Sequence, residues 1–249
     1  MLRITSFLCI LLYISSVTFS SKINSDLLPG RDVCGIQAVD RIYGGEEAAI
    51  GEFPWLVLLK SGRINRFICG GALINSRYVL TAAHCVNDPD DIVSVRLGEH
   101  NIKTEEDCDD DTPGLEYCSD PPIDLEVEEI TSHETFNISN VFGDVALIRL
   151  NKVVNYTDFI KPVCLPISFE LQNKDFSRKT VTAAGWGRTE TEGMSEKKAK
   201  SRVTSKIKRR LRCILQTTQC ISRFFSHMRW WGEGKKYLQW RQWWSSNVS

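Results

Sequence analysis

Neither charge is in excess in this chain: 31 Lys and Arg stand against 31 Asp and Glu over 249 residues. Nothing in the net charge therefore points to a polyanionic partner. The apolar run near the N-terminus, Phe7 to Tyr13, is far too short to span a bilayer. Acids all but vanish late in the chain, where residues 199–249 hold twelve Lys and Arg and Glu233 as the sole acid. Residues 1–198 consequently carry 19 basic and 30 acidic residues, as if two different chains had been joined. Glycine is also scarce late in the chain, with Gly193, Gly232 and Gly234 alone following Gly187. Neither period 2 nor period 3.6 organises the stretch after Lys198, so it carries no strand or helix pattern.

Before Lys198 the chain reads as ordinary globular protein. Arg3, the short apolar run, and the small residues Ser15, Ser16, Ser20 and Ser21 form a secretory signal over residues 1–20, the alternative being a short buried helix. Secretion implies an oxidising compartment, so the eight cysteines after Cys9 are expected mostly in pairs. The sequons at Asn137 and Asn155 become candidates for N-glycosylation. Residues 21–41 are polar, broken at Pro29-Gly30, and read as a linker or pro-segment. From Ile42 onward short apolar runs recur between turn signals: Trp55–Leu59, Phe67–Ile74, Tyr78–Ala82, Ile92–Leu97, Leu125–Ile130, Val145–Leu150 and Val181–Trp186. That spacing predicts an all-β barrel or sandwich.

Two residues stand out chemically. His84, in "LTAAHC", closes a strand-like run among small residues and reads as a general base, the plainer reading being a core histidine satisfied by hydrogen bonds. Asp144 directly precedes the apolar run Val145–Leu150, a place where an aspartate can cap a strand start. His100 and His133 have no such setting and are expected on the surface.

Five segments in order carry a resemblance: "RIYGG" with "GEFPWLV", "CGGALINSRYVLTAAHC", "GDVALIRL", "PVCLP" and "AAGWG". Over residues 34–198 the chain resembles the trypsin/chymotrypsin family of serine endopeptidases, and within it the arthropod cascade proteases, although their six-cysteine clip domain is absent from this sequence. The resemblance implies two six-stranded antiparallel barrels with the site between them, spanning residues 42–198 and with the second barrel incomplete here. It implies His84 as base and Asp144 as its orienting partner, and disulfides Cys69–Cys85, Cys34–Cys164 and Cys108–Cys118. The last would close the acidic insert "CDDDTPGLEYC". It makes Arg41-Ile42 the activation bond, cut by an upstream trypsin-like protease, after which the Ile42 ammonium turns inward to order the oxyanion hole. The loop "LGEHNI" (Leu97–Ile102) resembles a calcium loop, with Glu99 and the Asn101 carbonyl as ligands; the alternative is a solvated acidic loop. No other cofactor is implied. The expected partners are protein substrates or inhibitors, outside the cell, with neither nucleic acid nor membrane involved.

The family's nucleophile sits in a "GDSGG" turn, and no Gly-Asp-Ser occurs in this sequence. Ser201, Ser205, Ser222, Ser226, Ser245 and Ser246 lie in no comparable turn. The genetic code supplies a reason. Tryptophan's single codon, UGG, begins GG when read one base later, and GG always starts a glycine codon. Trp230, Trp231, Trp240, Trp243 and Trp244 therefore conceal the pattern GG, eight residues, G, two residues, GG, which is the family's "CAGG…GDSGG" spacing. "HMRWWGEGKKYLQWRQWWSSNV" permits I-C-A-G-G-E-K-G-K-N-T-C-N-G-D-S-G-G-P-L-M, and Lys200–Ser205 permits K-V-E-L-P-V. Residues 199–249 thus read as a frame-shifted peptidase C-terminus. The rival, a basic Trp-rich tail binding nucleic acid or anionic membrane, fits the composition but not secretion or the glycine spacing. In the shifted frame the residue six before the serine, the base of the family's specificity pocket, draws on the Lys236 codon. That codon followed by the U of Tyr237 yields AAU or AGU, so asparagine or serine and never aspartate.

Overall fold

The computed structural model describes residues 27–37, 47–109, 117–139, 142–168, 170–171, 174, 179–189 and 193–204. The signal segment, the bond Arg41-Ile42, Cys213, Cys220 and everything beyond Thr204 lie outside the described residues.

Alternation becomes architecture over Leu56–Ser61 (β1), Arg66–Leu73 (β2), Tyr78–Thr81 (β3) and Ile92–Leu97 (β4). Next come the two-residue strands Cys108–Asp109 (β5) and Tyr117–Cys118 (β6), then Ile123–Ser132 (β7) and Ala146–Leu150 (β8). In the order β1-β2-β3-β8-β7-β4 six of these close into a barrel whose neighbours all pair antiparallel. Val57 and Leu59 on β1 face the interior together with Val95 and Leu97, their register partners on β4. Leu73, Val79, Ile148 and Leu150 complete the centre, each fully buried. Each such side chain contributes roughly 1.5–3 kcal/mol, so the first barrel holds an independent core. The pair β5–β6 is a separate ladder, closed by the Cys108–Cys118 disulfide.

The second half is sparser. Thr180–Gly185 (β9) pairs with Ala199–Thr204 (β12), and Arg188–Thr189 (β10) with Gly193–Met194 (β11). Among the described residues these ladders are two-stranded. The fold is all-β, its first barrel complete and its second incomplete. β12 extends past Lys198, where the apolar pattern stops, because the β9 backbone supplies its hydrogen bonds from Ala199 to Thr204.

Candidate active site

Small residues carry β3 into a tight corner. Ala82 is extended, and a 3-10 turn follows over Ala83–Val86, anchored by the buried Ala83, Cys85 and Val86. Cys85 is bonded to Cys69 on β2, which holds the turn against the barrel wall. The chain-entropy model assigns such a short loop roughly 3 kcal/mol. His84 projects from this corner.

Asp144 reaches it from the other side. The loop from β7 returns through Gly143, whose φ of 70° suits glycine and whose absent side chain matters too: a Cβ there would meet Thr135 Oγ1 at 2.5 Å and the Thr135 and Phe136 backbone at 3.1 and 3.2 Å. The His133 N–H donates to the Val145 carbonyl at 3.0 Å and ties the loop shut. His84 Nδ1 and Asp144 Oδ1 then lie 3.5 Å apart, with side chains 13% and 8% exposed. This length is long for a working pair, as is common before substrate binds. With Nδ1–H directed at Asp144, the Nε2 atom is left as an acceptor, the tautomer a general base requires. Nε2 faces the Cys69 sulfur at 4.0 Å. Burial pushes the Asp144 carboxyl above the usual carboxylate range, while the hydrogen bond and charge of His84 pull it back down. Its second oxygen, Oδ2, is buried and finds no hydrogen-bond donor among the described residues.

The other expected residues fall as follows. Cys34–Cys164, Cys69–Cys85 and Cys108–Cys118 are each bonded. Asn137 and Asn155 are exposed. Glu99 is 1% exposed, and both its oxygens are engaged: Oε1 accepts the His100 N–H at 3.0 Å, and Oε2 accepts from Arg96 Nη1 at 3.2 Å. The Asn101 carbonyl accepts from the Thr104 N–H and hydroxyl at 3.1 and 3.2 Å. The Glu99 carboxylate and the Asn101 carbonyl, the groups expected to hold calcium, are thus already hydrogen-bonded within the chain, beside the Arg96 guanidinium. Glu99 is not part of a solvated loop, since it is buried.

His100 and His133 depart from expectation, at 6% and 7% exposed. His133 is held at the end of β7, where its Nδ1 faces the Thr135 N–H at 3.2 Å and hydroxyl at 2.9 Å. His100 is buried because its carbonyl is a junction, accepting the Trp186 indole N–H and the Lys198 N–H, each at 2.9 Å. Burial lowers the proton affinity of both imidazoles.

Sequence reasoning did not find Lys198. It is 3% exposed, its ammonium lies 5.3 Å from the Trp186 ring centroid, and burial lowers its pKa to about 8. The Ala48 N–H donates to its carbonyl at 2.8 Å, and Glu47 bridges to Ala199. The segment Glu47–Ala48 is therefore stitched to the start of β12.

A histidine paired with a carboxylate, held at a strand corner of a six-stranded barrel beside a disulfide, is an arrangement other proteins share. The trypsin family description matches residues 42–225 of this chain. The chain belongs to the trypsin family. It is 43% identical over 185 residues to phenoloxidase-activating factor 3 of Holotrichia diomphalia, an alignment covering 72% of this chain and 51% of that one. To the Spaetzle-processing enzyme of Drosophila melanogaster it is 45% identical over 177 residues, covering 66% and 44%. The crystal structure of Drosophila Grass, a clip serine protease of the Toll pathway, superposes with a TM-score of 0.67 at 37% identity, covering 74% of this chain and 52% of that one. The chain thus spans about half the length of the curated relatives it matches.

Proposed function

We propose that the gene encoding this trypsin-family chain specifies a secreted serine endopeptidase precursor of an extracellular cascade, and that residues 199–249 as they stand supply no nucleophile. In the complete enzyme an upstream trypsin-like protease cuts after Arg41, and the freed Ile42 ammonium orders the oxyanion hole. His84 Nε2 takes the proton of a serine hydroxyl as that oxygen attacks the substrate carbonyl. Asp144 holds the imidazole and stabilises its charged form, and the proton passes to the leaving amine. The substrates are proteins, and protein inhibitors are the natural regulators. In the chain as written the chemistry stops at its first step. The observation that carries this reading is the His84–Asp144 pair, in place at 3.5 Å.

A second reading is a non-catalytic protease homologue that binds cascade proteins without cutting them. The complete first barrel favours it, since half of a substrate-binding cleft survives. Sequencing the transcript across Lys198–Ser201 separates the two. A single base there, surplus in the written reading and absent from the message, supports the enzyme. An unaltered message, translated as written, rejects the enzyme in favour of the homologue.

A further inference from the structure

Residues 27–35 are fixed to the first barrel at three points. The Leu27 carbonyl accepts from Asn75 Nδ2 at 2.9 Å, the Gly35 N–H donates to the Pro162 carbonyl at 2.8 Å, and Cys34 is bonded to Cys164. A tight turn lies between these anchors, with the Val33 and Cys34 N–H groups both donating to the Gly30 carbonyl at 3.0 Å. Opposite it, the Val163 N–H donates to the Leu73 carbonyl at 2.8 Å and holds the following residues beside the end of β2. Between the two runs lies a cavity of about 520 Å³, within the range of roughly 300–1,000 Å³ found for small-molecule sites. Leu28, Val163, Leu165 and Leu171 give it apolar walls, and Ile74, fully buried, adds to them. Among the described residues that line it, Arg31 alone is charged. Asp32, the neighbouring carboxylate, turns back against Gly30 and does not line the cavity. Neither His84 nor Asp144 lines it.

We propose that this cavity binds a monomeric medium-chain fatty acid, its alkyl chain against the leucines and Ile74 and its carboxylate on the Arg31 guanidinium. The apolar walls take the alkyl chain out of water, and the guanidinium offers paired N–H donors that match a carboxylate. Ser168, also in the lining, supplies a hydroxyl donor. A cationic amphiphile would meet Arg31 as a like charge. One wall is residues 28–35 and the other is the barrel and its 163–171 extension, so the ligand joins the two and adds to the Cys34–Cys164 tether. Cys34 and Cys164 both line the cavity, so an occupant also shields their bond from solvent. The site stands apart from the peptidase chemistry and holds whether or not the chain cuts peptide bonds.

The probe is sodium dodecanoate at micromolar concentration, added to the refolded full chain. Isothermal titration should show saturable, stoichiometric binding. Dodecanol, with the same chain and no charge, should bind more weakly. Arg31→Gln should weaken dodecanoate toward the alcohol by about two- to five-fold, the size of an exposed ion pair. Leu165→Trp, which fills the cavity, should abolish binding while far-ultraviolet circular dichroism stays unchanged. The place of binding is read on the wild-type chain, by partial reduction with a phosphine, alkylation and mass spectrometry. With dodecanoate present, Cys34 and Cys164 should label several-fold more slowly, while Cys108 and Cys118 should label at an unchanged rate. Equal labelling of Cys34 and Cys164 with and without dodecanoate overturns the proposal. So does the absence of binding, binding that never saturates, or binding that Arg31→Gln leaves untouched.

Discussion

Cut after Arg41, the chain as written should hydrolyse no peptide bond by way of His84. Removing the serine from an intact triad costs on the order of a millionfold in turnover, which corresponds to about 8 kcal/mol of transition-state stabilisation. An ordinary turnover of about 10 per second would fall to roughly one event per day. The geometry gives no reason for a smaller loss. The group facing His84 Nε2 is the Cys69 sulfur at 4.0 Å, and a disulfide sulfur has no proton to surrender. Asp144 Oδ2 is buried without a donor among the described residues, so the imidazole is oriented by one carboxylate oxygen at 3.5 Å. The decisive assay is covalent labelling with a serine-directed diphenyl phosphonate, which works whatever the substrate and tolerates impure material. Wild type and His84→Ala should both show background labelling only, before and after cleavage at Arg41. Labelling of the cut wild type that His84→Ala abolishes would refute the reasoning, because it requires a nucleophile activated by that histidine.

Four further outcomes are expected. The β9–β12 ladder is two-stranded among the described residues and leaves Val181 38% exposed, so the chain should be retained or should aggregate in secretory cells; a monodisperse secreted monomer with cooperative melting would contradict this. After cleavage at Arg41 the N-terminal piece should stay attached through Cys34–Cys164 and separate on a gel only after reduction. Lys198→Met should stabilise refolded protein at pH 7 by up to about 3 kcal/mol, from a folded pKa of about 8 against 10.5. The unfolded chain binds the extra proton in that window, so wild-type stability rises with pH and the gain fades between pH 8 and 10.5; urea curves showing a pH-independent difference would count against it. The frame-restored enzyme, with asparagine or serine derived from the Lys236 codon at its pocket base, should not favour Arg or Lys before the cut bond, because a buried cation would lack its carboxylate; a peptide library dominated by those residues would show the codon reasoning wrong.

What was legible in the sequence was whatever has a period or an ordered motif. Val57 and Leu59, Val95 and Leu97, Ile148 and Leu150 announce the first barrel because a half-buried strand repeats every second residue. His84 and Asp144 stand out by type and setting, although their 3.5 Å approach depends on the Gly143 turn. Lys197, Lys198 and Lys200 are indistinguishable as letters in a chain, and pairing register alone separates them. Asn101 bridges to Lys197 and Glu47 to Ala199. The alternation this imposes sends Lys197 outward to Glu47 and Lys198 inward over Trp186, while Lys200 meets Glu52 at 2.8 Å. His100 escapes sequence reasoning for the same reason, since its burial comes from a carbonyl that serves two donors rather than from any property of its ring. β12 shows the limit most sharply. Its sequence, "AKSRVT", has no apolar alternation, yet it forms a ladder with β9 because a strand asks of its neighbour only a paired backbone. A nucleophile and an oxyanion hole ask for particular side chains, and for glycines at fixed turns. A shifted reading frame can keep the first requirement by chance, since nearly any residue but proline supplies both backbone groups, but it has almost no chance of keeping the second.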